Sequence, residues 1–333
     1  MIRLGVIGFG YWGPNIVRNF NGVEGSEVTM ICDMTPNAFK RAGNAFPHIR
    51  VTNNCDDVFN SPDIDAVAVI TPVSTHYELS KRTLESGKHL FVEKPFTASV
   101  SQAEELIEIA ARKNLVIMVD HTFIFTGAVR YIKQLIEQEA LGRIFYYDST
   151  RVNLGLFQRD VNVIWDLAPH DFAIVDFLFE EKPVAVMACG KSHMGLLEDM
   201  AYVTVLFESN MIAHFDVNWL SPVKVRNTLI GGEKKMLMWN DIESDEKIKI
   251  YDKGVEILNK EAEYQLLVNY RMGDMHSPRL EQGEALLREA AEFVACIREK
   301  RAPVNDGHAG LRIVKLLVAC DESLKRNGAE VKI

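Results

Sequence analysis

The sequence predicts an α/β protein of two domains, a doubly wound parallel sheet followed by an α+β domain with a large, mainly antiparallel sheet. Over about the first 120 residues, short apolar runs alternate with stretches of helical periodicity, which is typical of repeated βαβ units. From Val184 to Tyr264, alternating β-branched segments follow one another without helices between them, which favours antiparallel strands.

Five strands and four helices are predicted in the first domain. The strands lie near Arg3–Ile7, Val28–Cys32, Ala66–Ile70, His89–Val92 and Val116–Val119, and the helices near Gly13–Phe20, Pro36–Asn44, Thr75–Ser86 and Val100–Lys113. After His121 the alternation of strand and helix patterns ends. We therefore predict one domain over residues 1–121 and a second, for substrate binding and oligomerisation, over 122–333.

The second domain is predicted to begin with single helices and strands and to end with two amphipathic helices. The expected elements are a helix at Gly127–Glu139, a strand at Ile144–Val152, a helix from about Leu167 to Phe179, strands such as Tyr202–Phe207 and Ile212–Trp219, and helices around Leu286–Ile297 and Ile313–Leu324. The C-terminal helix is expected to pack back on the first domain.

Composition and charge exclude several classes of partner. The 333 residues are 47% apolar and 25% charged with a formal net charge of −9, so no basic field for nucleic acid or an anionic membrane is expected. No apolar run is long enough for a membrane span, and no signal peptide is recognised. Five scattered cysteines without a CxxC pair indicate neither a metal site nor a disulfide framework, and favour buried thiols in the cytoplasm.

A glycine motif lies directly after the first predicted strand. Gly8-Phe9-Gly10-Tyr11-Trp12-Gly13 fits GxGxxG and opens a helix, so we expect Gly8, Gly10, Tyr11, Trp12 and Gly13 to bind a dinucleotide. Glycines let the backbone approach a pyrophosphate, and the helix N-terminus supplies unpaired N–H groups. A tight turn without a nucleotide is the alternative.

Asp33 ends the second predicted strand, twenty residues after Gly13. Its carboxylate would accept hydrogen bonds from the adenosine ribose and repel the 2′-phosphate of NADP. The following Met34-Thr35-Pro36 offers no arginine, so NAD is preferred over NADP, although Lys40 and Arg41 lie close by in the sequence.

Two further motifs resemble those of the glucose–fructose oxidoreductase/inositol dehydrogenase (Gfo/Idh/MocA) family over essentially the whole chain. They are Thr71-Pro72…His76 followed by Glu93-Lys94-Pro95, and Asp166-Leu167-Ala168-Pro169-His170 at the start of a helix. The resemblance implies a Rossmann fold with NAD beside Thr71, Pro72, His76, Glu93 and Lys94, and oxidation of a secondary hydroxyl on a sugar.

The chemistry of such an oxidation suits three residues as catalytic groups. The Lys94 ammonium would hydrogen-bond the reacting oxygen, and His170 would take its proton near neutrality. Asp166 lies one helical turn before His170 and could orient the imidazole or hold Lys94 charged. The alternatives are a solvated Lys94, an N-cap role for Asp166 and a core position for His170; His76 could also serve packing alone.

A polar segment precedes the Asp-His pair and is the predicted substrate contact. It contains two arginines, two asparagines and a tryptophan: Arg151, Asn153, Arg159, Asn162 and Trp165. Arginine suits phosphate, and asparagine suits sugar hydroxyls or an N-acetyl group. The segment resembles relatives that act on nucleotide-linked amino sugars, which implies oxidation at C3; a polar strand and turn is the alternative.

Other functions stay open from the sequence. A glycosidase that oxidises transiently with bound NAD, a dehydrogenase of free sugars or cyclitols, and a non-catalytic dinucleotide-binding sensor are all compatible with the motifs. Asp120-His121 departs from the pattern that many relatives carry after the sixth strand, and no role is assigned to it. Relatives commonly pair their C-terminal sheets, so a homodimer or homotetramer is expected.

Overall fold

The computed structural model describes residues 1–155, 157–158, 160–195, 197–257 and 268–333. Its strands are β1 Ile2–Ile7, β2 Ser26–Cys32, β3 Arg50–Thr52, β4 Ala66–Val69, β5 His89–Glu93, β6 Ile117–Asp120, β7 Ile144–Leu154, β8 Pro183–Lys191, β9 Met200–Phe207, β10 Ile212–Asn218, β11 Leu220–Gly232, β12 Met236–Asn240, β13 Ile248–Ile257, β14 Val268–His276 and β15 Val331–Lys332. Its helices are α1 Gly13–Gly22, α2 Pro36–Ala45, α3 Cys55–Phe59, α4 Val73–Glu85, α5 Val100–Lys113, α6 Gly127–Glu137, α7 Val163–Leu178, α8 Ala285–Glu299 and α9 Gly307–Lys325, with a 3-10 turn at Thr122–Phe125.

The chain divides into two compact units. The first contains Met1–Phe125 and Gly283–Val318, and the second contains Thr126–Gln282 and Ala319–Ile333. The N-terminal part of the first unit ends four residues after the predicted boundary at residue 121, and the C-terminal segment that joins it contains α8 and the first part of α9.

The first unit is a doubly wound parallel sheet, as the sequence predicts. Its strand order is β3-β2-β1-β4-β5-β6, and neighbouring strands are parallel. Every residue of β4 is buried, because both faces of the sheet are covered by separate apolar clusters. On one face the rings of Phe20, Phe91 and Phe293 pack edge to face at 5.3–5.9 Å, which ties α1 and α8 to the sheet.

Two short elements of the first unit were missed, and one helix start was predicted wrongly. β3 and α3 have three and five residues, too few to show a period. Helix α7 starts at Val163 instead of Leu167, because the Asn162 side chain accepts a hydrogen bond from the Trp165 N–H and caps the helix. The predicted strand region near Tyr264 lies outside the described residues.

The second unit is built on a nine-stranded sheet in the order β14-β13-β12-β11-β7-β10-β9-β8-β15. β7 and β10 are parallel, and the other neighbouring strands within the described residues are antiparallel. Helix α7 covers one face, where the Phe172 and Phe215 rings lie 5.0 Å apart. In the described part of the chain, no helix is both long and apolar enough to cross a membrane.

Candidate active site: a dinucleotide loop and two sets of polar side chains

The glycine loop between β1 and α1 has three glycines with three different surroundings. Gly8 has φ +102°, and a Cβ there would lie 2.2 Å from the Ile70 carbonyl oxygen. A Cβ on Gly13 would lie 2.8 Å from the Gly8 carbonyl oxygen, whereas one on Gly10 would meet nothing within 4 Å. The first and third glycines are therefore needed by the fold itself, and the second leaves open space at the N-terminal end of α1. These surroundings fit the pyrophosphate of a dinucleotide.

Asp33 is joined to this loop by hydrogen bonds. Its Oδ2 accepts from the Phe9 N–H at 2.7 Å, and its Oδ1 accepts from the Thr35 N–H at 2.8 Å and the Thr35 hydroxyl at 2.7 Å. A carboxylate has about four acceptor positions, so these bonds occupy three and leave one for a ribose hydroxyl. Asp33 thus orders the loop besides offering the ribose contact predicted from sequence.

Arg41 reaches the same loop from α2. Its Nη2 donates to the carbonyl oxygens of Phe9 and Gly10, each at 2.9 Å. The sequence indicated Arg41 only as a neighbour of Asp33 along the chain; the fold places its cation against the loop. Tyr11 and Trp12 are 81% and 49% exposed with their rings edge to face, so their surfaces are open to a ligand.

The open space at Gly10 can be tested directly. Gly10→Ala is expected to leave the melting temperature unchanged but to weaken NAD binding by about 1–3 kcal/mol, because the added methyl would overlap the pyrophosphate. Gly43→Ala is the matched control, since its Cβ also meets nothing within 4 Å but lies in α2. NAD titration by calorimetry measures both, and unchanged affinity for Gly10→Ala would contradict the assigned position of the pyrophosphate.

His76 connects the two loops that follow β4 and β5. Its Nδ1 lies 2.8 Å from the Pro95 carbonyl oxygen and its Nε2 lies 2.7 Å from that of Thr71. Burial lowers the pKa of His76, and the two carbonyl acceptors oppose that change. The side chain has no exposed surface, so the structure argues against the predicted direct contact with the cofactor and gives His76 a positioning role. Thr71 and Pro72 stand at the surface of the first of these loops.

Glu93, the last residue of β5, takes part in a cluster of three carboxyl groups. Its carboxyl group interacts electrostatically with Asp120 at the end of β6, which also interacts with Glu289 from α8 and accepts a hydrogen bond from the Thr122 hydroxyl. Glu289 Oε1 accepts from the His121 N–H at 3.0 Å and from Asn305 Nδ2 at 2.8 Å. This cluster gives Asp120 the role that the sequence did not, as the carboxyl group that interacts with both glutamic acids.

The electrostatics of this cluster favour protonated carboxyl groups. Burial raises the pKa of Glu93 and Glu289 well above the ordinary value, and the charge of Asp120 raises both further. Burial also raises the pKa of Asp120, although bonds from Thr122 and the two glutamic acids lower it. Sequence reasoning missed Glu289; its signal was an acidic residue on the apolar face of α8, between Leu286 and Phe293.

The cluster makes the stability of the protein depend on pH. Because the folded pKa of Glu289 is raised, its contribution to stability is complete below the unfolded pKa of about 4.3 and is lost as pH rises toward the folded pKa. Glu289→Gln keeps both acceptor bonds and an N–H donor toward Asp120 but cannot ionise. We expect its free energy of unfolding, measured by urea titration, to exceed that of the parent increasingly as the pH rises above 5, by about 1.4 kcal/mol for each pH unit up to the folded pKa of Glu289.

Glu108→Gln, at an exposed position of α5, is the control for this comparison. Its urea midpoint should follow that of the parent at every pH. Parallel pH profiles for the parent and Glu289→Gln would contradict a protonated Glu289.

In the second unit, Asp166 and His170 lie one turn apart on α7. Both are partly exposed, whereas most of the helix is buried. Asp166 Oδ2 accepts a hydrogen bond from the Trp219 indole N–H at 3.0 Å, which orients the carboxylate. The N-cap alternative for Asp166 is wrong, since Asn162 is the cap and Asp166 belongs to the first turn of the helix.

Three of the predicted substrate contacts have structural partners instead. Arg151 is buried, with its Nε 2.6 Å from Asp171, and so is held within the sheet-to-helix packing. The Asn162 side chain caps α7 and donates to Asp321, and the Trp165 indole N–H donates to Asp321 at 2.8 Å. These three are corrected from substrate binding to folding, because each is satisfied by a partner that the local sequence does not show.

The other two predicted substrate contacts stay predictions. Asn153 is a partly exposed residue of β7, and Arg159 lies outside the described residues. In the described part of the chain, no group of three histidine, cysteine or acidic side chains has an arrangement suited to a metal ion.

Comparison with known proteins agrees with this architecture. An uncharacterized oxidoreductase from Streptococcus pneumoniae is 26% identical over 64% of this chain, and the match spans only 61% of that relative's length. UDP-N-acetylglucosamine 3-dehydrogenase from Acidithiobacillus ferrooxidans is 25% identical over 98% of this chain and 99% of its own. The structure of a levoglucosan dehydrogenase, in complex with NADH and levoglucosan, superposes with a TM-score of 0.85 at 19% identity over 100% of this chain and 99% of its own.

Two family models match adjoining parts of the sequence. Residues 2–121 match the oxidoreductase family with an NAD-binding Rossmann fold, and residues 133–333 match the C-terminal alpha/beta domain of the same family. The two matches agree with the motifs read from the sequence. The chain therefore belongs to the Gfo/Idh/MocA family of NAD-binding oxidoreductases.

Proposed function

We propose that this protein is a dehydrogenase that uses NAD to oxidise a secondary hydroxyl, at C3, of a nucleotide-linked amino sugar. The observation that carries the choice of substrate is the similarity over nearly the whole of both chains to a UDP-N-acetylglucosamine 3-dehydrogenase. The glycine loop with its open Gly10, and Asp33 with one acceptor position left, support the choice of NAD.

The proposed chemistry divides between the polar side chains described above. NAD, held by the glycine loop and Asp33, would supply the hydride acceptor for the carbon that bears the hydroxyl. The Lys94 ammonium donates a hydrogen bond to the reacting oxygen and stabilises its developing negative charge. His170 accepts the hydroxyl proton, since an ordinary imidazole pKa lies near neutrality. Asp166, held by Trp219, orients His170 through their shared face of α7.

The remaining substrate candidates are Asn153 and Arg159, which we propose as contacts for the sugar and the phosphates. The burial of Arg151 against Asp171 removes one of the two arginines from the proposed diphosphate contact. Phosphate recognition then falls to Arg159 among the residues predicted from sequence. An Arg159→Ala variant with an unchanged KM for the nucleotide-linked sugar would show that the phosphates bind elsewhere.

The test compares nucleotide-linked and free sugars. NADH formation should be measured with UDP-N-acetylglucosamine, N-acetylglucosamine and inositol at saturating NAD, together with thermal shifts for each compound. Binding energy from the diphosphate positions the sugar for reaction, so the enzyme should show both a lower kcat and a higher KM with the free sugar than with the nucleotide-linked sugar. Comparable turnover of the free sugar or inositol would contradict the nucleotide-linked substrate but would still agree with a dehydrogenase.

Two other outcomes would indicate the alternative functions. Cleavage of the substrate without net formation of NADH would indicate the glycosidase. If the protein neither binds nor turns over any of the three compounds, the result would favour the sensor.

We also propose that the protein self-associates through the outer face of its nine-stranded sheet. Alternation along the strands leaves Met187, Tyr202, Ile212 and Leu229 between 38% and 44% exposed on this face. Apolar side chains that repeat across neighbouring strands are suited to a second sheet. Light scattering should give a mass of at least two chains, and Ile212→Lys should lower it.

A further inference from the structure

Two cysteines of the first unit face each other at the end of β2, directly before Asp33. Cys32 is the last residue of β2 and is fully buried, and Cys55 is the first residue of α3 and partly exposed. Their Sγ atoms lie 3.4 Å apart although 23 residues separate them in the sequence. The composition predicted scattered, unpaired thiols, so this juxtaposition is produced by the fold.

The surroundings make the two thiols unequal. The hydrogen bond between the two thiols and the charge of Arg82 lower the pKa of Cys55 to about 7, against the raising effects of burial and Asp56. The same bond and burial raise the pKa of Cys32 far above its usual range. Arg82 is held near by its ion pair with Asp56 and by Phe59, whose ring lies 4.3 Å from the guanidinium carbon. Cys55 is therefore the more acidic and more exposed of the two thiols, and Cys32 is the buried partner that can resolve an oxidised Cys55.

We propose that Cys32 and Cys55 form a thiol-oxidation site, which hydroperoxides convert to a reversible disulfide that weakens NAD binding. The Cys55 thiolate attacks the peroxide oxygen, the O–O bond breaks, and a sulfenic acid forms with release of water or an alcohol. The Cys32 sulfur then attacks the Cys55 sulfur, its proton leaves with the hydroxyl as water, and the S–S bond forms. The two thiols are oxidised and the hydroperoxide is reduced, and a dithiol reverses the reaction by exchange.

The backbone connects this site to the dinucleotide loop. A disulfide requires the sulfurs to approach from 3.4 Å to about 2.05 Å, so the end of β2 or the start of α3 must move. The Cys32 carbonyl accepts from the Gly8 N–H at 2.9 Å, and the next residue, Asp33, donates its N–H to Thr52 at 3.1 Å. A displacement of Cys32 therefore reaches Gly8 and Asp33 together, and through Asp33 the Phe9 N–H. The inference rests on NAD binding at this loop and is independent of the sugar.

The experiment follows the disulfide and NAD affinity separately in the full-length protein. After hydrogen peroxide treatment, peptide mapping should find Cys32 joined to Cys55 with the loss of two hydrogens, and thiol titration should fall from five groups to three. NAD binding should weaken by roughly tenfold, the effect of losing one hydrogen bond to a charged acceptor, and dithiothreitol should restore both readings.

Variants separate the pair from the other thiols. Cys55→Ser and Cys32→Ser should each abolish the bridge and keep NAD affinity constant in peroxide, whereas Cys189→Ser, which removes an exposed single thiol, should respond like the parent. Peroxide-treated parent protein that lacks the Cys32–Cys55 bridge would overturn the proposal, and so would a bridge that leaves NAD affinity unchanged. Because both readings precede catalysis, an incorrect substrate assignment would not affect them.

Discussion

Replacing Lys94 by alanine is expected to lower the rate of NADH formation by about 10²–10³-fold, the usual cost of removing one donor to a developing oxyanion. Lys94 directly follows β5, whose last residue, Glu93, is held by the carboxyl cluster, so its backbone has a defined position. The proposed role concerns the reacting oxygen and not the dinucleotide. NAD affinity should therefore change little while kcat falls, which fluorescence titration and initial rates at saturating NAD would measure.

Two further variants make this result specific. Lys94→Arg keeps the charge but replaces a compact ammonium by a planar fork, so it should recover only part of the activity. Lys113→Ala removes the exposed lysine at the end of α5 and should behave like the parent. If Lys94→Ala retains most of its kcat, the proposed stabilisation of the alkoxide by Lys94 is incorrect, whatever the substrate.

Replacing Asp33 by alanine is expected to weaken NAD binding by about 1.5–3 kcal/mol and to reduce the difference between the affinities of the protein for NAD and for NADP. The first effect is the loss of one hydrogen bond to a charged acceptor, because three of the four acceptor positions of Asp33 already serve Phe9 and Thr35. The second effect is a gain in NADP affinity. Without the Asp33 carboxylate, the Arg41 cation, which contacts the same loop, can attract the 2′-phosphate of NADP.

Calorimetric titration with NAD and NADP measures both effects. The double variant Asp33→Ala/Arg41→Ala should not show the gain in NADP affinity that Asp33→Ala shows. This comparison tests whether the gain comes from the cation of Arg41 or only from the loss of the Asp33 carboxylate. Asp33→Asn keeps an acceptor oxygen without the charge and should fall between the parent and Asp33→Ala for NAD. Equal affinities for NAD and NADP in the parent protein would contradict the assignment of Asp33.

Local signals were enough for the elements whose ends are defined by adjacent residues. Helix α5 is found at the predicted bounds, because the Ser99 side chain accepts from the Gln102 N–H at its start and Asn114 adopts a left-handed conformation at its end. The start of α7 was misplaced by four residues for a related reason: its cap, Asn162, was interpreted as a substrate contact. A polar residue before a helix is ambiguous until its partner is known.

The substrate residues show why the polar interior could not be predicted. Arg151 meets Asp171 because β7 packs beneath α7, and Trp165 meets Asp321, which lies 156 residues later in the chain. Glu289 likewise reaches the His121 N–H across 168 residues. The period of a helix or strand shows which face is buried, but it carries no information about which distant side chain lies opposite.

The sequence by itself determined the class of this protein: the parallel and antiparallel sheets, the glycine loop, Asp33 at its spacing and the family motifs all follow from short-range patterns. The tertiary structure decided which polar residues are free to act. It buried His76, Arg151 and Trp165 with partners, assembled Asp120 with two glutamic acids, and brought Cys32 to Cys55. The physical reason is that a buried polar group must be satisfied, and its partner is supplied by the packing of distant segments.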